Sequence, residues 1–155
     1  MTPVTIFRYA LSGLILTLCP AATYPALAEI IYFKAELSGK NEVQPNDSKG
    51  AGTFTATYDT ESKKLTWKGN YSDLSGPATM AHFHGPIEPN WGQPHPFGDI
   101  ADVTVVITPF TSPFEGSATL TDAQAAELIA GKWYVNFHTD AYPAGEIRGQ
   151  VLKGM

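Results

Sequence analysis

"GTFTATYDTESKKLTWKGNY", residues 52–71, decides the fold. Phe54, Ala56 and Tyr58 alternate with threonines; after the connection Thr60-Glu61-Ser62, Leu65, Trp67, Gly69 and Tyr71 alternate with polar residues. A period of two sends successive side chains to opposite sides of an extended chain, so the stretch reads as two half-buried strands joined by a short turn. Working outward, "IIYFKAEL" (30–37), "TMAHFH" (79–84), "DVTVVIT" (102–108), "GSATL" (116–120), "WYVNFH" (133–138) and "GEIRGQVL" (145–152) are further strand candidates, each bounded by turn residues. Seven or eight short strands predict an all-β, antiparallel sandwich or barrel. One segment breaks the pattern. In "TDAQAAELIAGK" (121–132) Thr121 and Gln124 form a capping box, Leu128 and Ile129 an apolar side, and Gly131 a left-handed stop, which predicts one short helix.

The first 28 residues read as a secretory leader. Arg8 precedes an apolar core, Leu11 to Cys19, and the stretch closes on Ala26-Leu27-Ala28, the small-x-small pattern of a cleavage site. The apolar run is too short to span a bilayer. Cleavage near Ala28 predicts a secreted or periplasmic chain of residues 29–155, one domain in length. The leader carries the only cysteine and Arg8, so the remainder has no thiol and holds 9 basic against 15 acidic residues, net −6. That balance argues against nucleic acid and anionic membrane surfaces as partners, and any metal must be held without cysteine.

Four histidines occupy three places: His82 and His84 on one face of a strand, His95 in the Pro/Gly-rich segment 85–99, and His138 at the end of a strand. Neutral imidazole suits Cu(II) and Zn(II), and four nitrogens in a flattened arrangement suit copper best; zinc accepts the same ligands. The expectation is one metal ion held by His82, His84, His95 and His138. The bland alternative is that these histidines are hydrogen-bonded rim residues of a structural or protein-interaction module. Met80 shares the strand face of His82 and is read as core packing in preference to a soft ligand. Tyr142 and Trp91 are candidates to cover the site, and Asp140 and Glu146 to fix a histidine tautomer. No serine lies in a Gly-x-Ser-x-Gly context, no Gly-rich phosphate loop opens a helix, and no pair among Glu61, Asp73, Glu88 and Asp99 stands out for glycoside hydrolysis.

"LSGKNEVQP" (37–45), "MAHFHGP" (80–86), "LTDAQAAELIAGKWYVNFHT" (120–139) and "PAGEIRGQV" (143–151) together resemble the CHRD domain, from about Phe33 to Leu152. More distantly, His-x-His, a loop His after Pro, a late His and Ala-Gly-x-x-Arg in that order are similar to the copper side of Cu/Zn superoxide dismutase. That resemblance implies an eight-stranded Greek-key sandwich, His82 and His84 as strand-borne copper ligands, His95 in the bridging place and His138 as the fourth. It also implies Arg148 as the catalytic guanidinium that draws superoxide or another small anion to the copper. An ion pair of Arg148 with Glu146 or Asp140 is the other reading. With all four histidines on copper none remains for a separate zinc site, so the likeness is to a copper-only version, in copper handling or redox chemistry.

Overall fold

The computed structural model describes residues 28–87 and 103–154. Eight antiparallel strands form one continuous, nearly closed sheet: β1 (Ile30–Ser38), β2 (Ala51–Asp59), β3 (Lys64–Ser72), β4 (Ala78–His84), β5 (Val103–Val106), β6 (Phe114–Thr119), β7 (Tyr134–Thr139) and β8 (Ile147–Gln150). Their order is β5-β4-β7-β8-β1-β2-β3-β6, and a two-residue strand β9 (Leu152–Lys153) pairs with β1. The chain runs β1-β2-β3 as a meander, crosses to β4, and returns to place β6 beside β3 and β7 beside β4, the long-connection pattern of a Greek key. The expected strands are all present. "GEIRGQVL" divides into β8 and β9 at Val151, whose amide bonds to Trp133 O at 2.9 Å. The leader up to Leu27 lies outside the described residues.

Alternation builds the core. Phe33, Ala35 and Leu37 of β1, Phe54, Ala56 and Tyr58 of β2, and Leu65 and Trp67 of β3 meet Ala81, Phe83, Val135, Phe137 and Ile147 from the other half. Phe83 sets its ring edge to face against Phe54 (5.5 Å) and Trp67 (5.1 Å), an arrangement that aromatic quadrupoles favour. Burying a ring this completely is worth about 2–3 kcal/mol. Its consequence for the site is directional: with Phe83 inside, its neighbours His82 and His84 must face out.

The single helix of the described residues, α1 (Asp122–Ile129), starts at the expected capping box, with Gln124 N on Thr121 Oγ1 at 3.2 Å and Thr121 N on Gln124 Oε1 at 2.9 Å. Gly131 follows at φ +73°, the left-handed stop. Ala125 and Leu128 tie the helix to the core. Among the described residues no helix is long and apolar enough to cross a membrane.

Candidate metal centre

The site lies on the face opposite the core, where β4, β7 and β8 run side by side. In register, Met80 faces His138, His82 faces Asn136, His84 faces Tyr134, and Asn136 in turn faces Arg148 of β8. Phe83, Val135, Phe137 and Ile147 point inward at the positions between, so the period of two gathers His82, His84, Tyr134, Asn136, His138 and Arg148 on one outward patch.

His82, His84 and His138 offer one ring nitrogen each, all within 4.8 Å of one another. Nitrogens sharing one ion at about 2.0–2.1 Å sit closer than this, roughly 3.3 Å apart in a tetrahedron, so an ion bound here would draw the rings together. His82 is half-buried and its Nδ1 has no hydrogen-bond partner among the described residues. Burial holds the His82 imidazole below its ordinary value, and the neighbouring His138 and His84 push the same way. Burial likewise lowers His138, against a smaller opposing effect of its bond to a carbonyl. Both rings are therefore neutral at neutral pH, the form that ligates.

Pro143 O lies 3.0 Å from His138 Nδ1 and can only accept, so the single ring proton sits there and the Nε2 lone pair faces the patch. The tautomer is thus fixed by a backbone carbonyl, in place of the Asp140 or Glu146 expected from the sequence. Asn136 Oδ1 stands 3.2 Å from Nε2 while the Asn136 amide donates to Glu42. A lone pair facing an oxygen is an arrangement that a cation relieves. The donor set and its orientation fit a divalent metal with imidazole preference.

Several expected residues sit elsewhere. Met80 is 44% exposed beside the site, a correction to its reading as core packing, because its strand alternation places it on the histidine face. Arg148 is fully buried, with its guanidinium carbon 3.5 Å from the centre of the Tyr134 ring. Its electrostatic partner is Glu42. Glu146 gives its carboxylate to Ser48 Oγ (2.6 Å), Ser75 N (2.7 Å), Ser75 Oγ (2.7 Å) and Thr139 Oγ1 (2.5 Å). Burial pushes the Glu146 carboxyl up, but these bonds outweigh it and the net is below the ordinary value. Glu146 is therefore the knot that ties three connections together. His95, Trp91 and Asp99 lie outside the described residues.

The sequence reading missed the cover. Glu42, Val43 and Gln44, after a 3-10 turn at Gly39–Asn41, close over His84, Tyr134, Asn136, His138 and Arg148 and leave a cavity of about 300 Å³, with Ala144 and Gly145 at its edge. Glu42 is 5% exposed. Burial pushes its carboxyl up to about 7 against the pull of Arg148, the Val43 amide and Asn136. Gly145, at φ +134°, is required beneath it, since a Cβ there would lie 2.5 Å from Glu42 Oε1. Asn136 was legible in "WYVNFH", where alternation aligns it with Tyr134 and His138.

No curated protein and no solved structure matches the chain. The model of one family, described as the CHRD domain, matches residues 33–151, which include the three histidines, Glu42 and Arg148. On that match over most of its length, the chain belongs to the CHRD domain family.

Proposed function

We propose that this is a secreted or periplasmic CHRD domain that binds a single copper ion through His82, His84 and His138, with His95 as a fourth nitrogen, in copper handling or redox chemistry. The observation that carries the reading is three imidazoles, two of them held neutral by burial, with ring nitrogens within 4.8 Å on one strand-built face. Copper so held supplies one-electron chemistry at whatever coordination position the protein leaves open. The chain's own residues do the rest. Pro143 O orients His138, Phe83 in the core aims His82 and His84 outward, and the 42–44 cover keeps bulk water from one side. Superoxide or another small anion is the reactant that a buried cation such as Arg148 would favour.

The test is copper titration of residues 29–155 with metal content and the Cu(II) EPR spectrum, wild type against His82→Ala. One tight equivalent with nitrogen hyperfine structure that the variant loses, at unchanged melting temperature without metal, is the expected result. An equal drop in melting temperature with and without copper would make the histidines structural. The sign of the pH dependence follows from the lowered imidazoles. Protons compete weakly until the pH falls below the ordinary histidine value of 6.5, so copper is retained at pH 7 and released with a midpoint below 6.5. Release centred above 7 would contradict it.

A further inference from the structure

Residues 29–155 contain no cysteine and two methionines, Met80 and Met155. Met80 carries the only sulfur among the described residues, and it stands beside the three histidines. It lies two positions before His82 on β4 and directly opposite His138 on β7, so the three form a triangle of nearest neighbours on one face. Opposite residues of paired strands hold their Cβ atoms about 4.5–5.5 Å apart, and residues two apart on a strand are separated by roughly 6.5 Å, distances that a long unbranched side chain spans. The third edge of the triangle is the pair of His82 and His138 rings, 5.3 Å between centres. The register of β4 on β7 shifts between Ala78 and Met80, and there Thr79 Oγ1 donates to His138 O at 3.3 Å. Irregularities of this kind re-aim side chains beside functional sites. Met80 is 44% exposed, which leaves its three rotatable bonds free of core packing.

A single exposed apolar residue needs no explanation by itself. Val106, opposite His82 on β5 and 57% exposed, is such a residue, since it offers surface and no lone pair. Met80 differs in bringing a thioether within reach of two imidazoles. We infer that Met80 is a ligand of this site for the cuprous ion: its sulfur joins His82 and His138 on Cu(I) and takes no part in holding Cu(II). Ligand softness decides the division. A thioether is a soft, polarisable donor that favours Cu(I), whereas imidazole accepts both copper states and zinc. The arrangement does not require His84 to move, and its ring lies flat on Tyr134, 4.7 Å between centres and 6° between planes. A site furnished in this way keeps copper in either oxidation state, which suits copper handling and one-electron chemistry.

The inference rests on the proposed copper reading, and the test separates the two. Residues 29–155, which hold all nine strands and the helix, are titrated anaerobically with Cu(I) against bicinchoninate, and separately with Cu(II) and Zn(II), as wild type, Met80→Leu and His82→Ala. Leucine keeps the apolar bulk and removes the sulfur, at an exposed position where substitutions are mild. Met80→Leu is expected to weaken Cu(I) binding by about tenfold or more, because even residues one step removed from a metal cost that much. The same variant should leave Zn(II) and Cu(II) affinity and the Cu(II) nitrogen hyperfine pattern unchanged. X-ray absorption of the Cu(I) form is expected to show one sulfur neighbour in the wild type and none in the variant. Unchanged Cu(I) affinity in Met80→Leu, a wild-type Cu(I) spectrum with nitrogen neighbours alone, or equal losses of all three ions overturns the inference. The wild-type spectrum decides this even if the variant does not fold. Cu(II) bound by the histidines and lost in His82→Ala, with no sulfur on Cu(I), would sink the role of Met80 and leave the copper reading standing. Met80-dependent Cu(I) binding in a chain that takes up no Cu(II) would do the opposite, and uptake of neither ion would sink both.

Discussion

The outer faces of the two halves of this barrel differ in what they bury. On β2 the pattern is regular: Phe54, Ala56 and Tyr58 are inside, while Thr53 and Thr55 are exposed and Thr57 is partly so. On β7 all six residues from Tyr134 to Thr139 are buried, and on β8 all four from Ile147 to Gln150. Both halves obey the same alternation and contribute to the same core. The difference lies in the polar face, which β2 gives to solvent and β7 and β8 hide beneath the loop carrying Glu42. Burying Asn136, His138, Arg148 and Gln150 opposes folding unless each finds partners, so a sheet buried on both faces with polar groups on one of them marks a site.

The comparison can be broken, and the largest effect is expected at Arg148. Arg148→Met leaves Glu42 without its cation inside the site and should cost on the order of 3–5 kcal/mol in urea unfolding. A loss under 1 kcal/mol would mean that the hidden face contributes little. Next is the pH profile. Glu42 ionises near 7 in the folded chain against an ordinary 4.5, so the folded state holds its proton more tightly than the unfolded one. Its stabilisation is fully present below 4.5 and is lost as pH rises through 7. Glu42 alone should remove on the order of 3 kcal/mol across that range, against a gain from the lowered His82 and His138 as pH rises toward 6.5, so the difference between wild type and Glu42→Gln is what reads its share. An unchanged curve in the variant would assign the dependence to other groups.

Gly145→Ala comes third, because it combines a left-handed φ of +134° with a Cβ 2.5 Å from Glu42 Oε1. About 1–3 kcal/mol of backbone strain is expected, together with displacement of the 42–44 cover, read as faster hydrogen exchange there. Exchange unchanged at 42–44 would show that the cover does not depend on this glycine. Smallest is Thr66→Ala on the exposed face of β3, where a change within about 0.5 kcal/mol and no change in metal content are expected. A larger effect would erase the contrast between the halves.

Local sequence made much of this legible. Phe83 between His82 and His84 announced both the inward ring and the outward histidines, because a strand's period of two acts on adjacent residues. Thr121 and Gln124 announced the helix start for the same reason, since the two partners of a capping box lie within one turn. Met80 obeyed that alternation and was misread only because a methionine is usually buried. Glu42 is the opposite case. Its place over the site depends on a connection held by Asn46 Nδ2 to Glu146 O and Ser48 Oγ to Glu146 Oε1, across sequence separations of 100 and 98 residues. No pattern around "GKNEVQP" reports such a contact.

By itself, then, the sequence determined which residues form strands, where the helix is capped, and that His82 and His84 share a face, since these follow from backbone periodicity and nearest neighbours. Only the tertiary structure decided that β7 lies between β4 and β8, which brings His138 to the pair and Arg148 beside Asn136. It also decided that Pro143 fixes a tautomer and that Glu42 roofs the cavity. The physical reason is that strand pairing and loop docking are settled by the burial of surfaces distant in sequence, where the energy of a contact depends on the whole fold and not on the residues beside it.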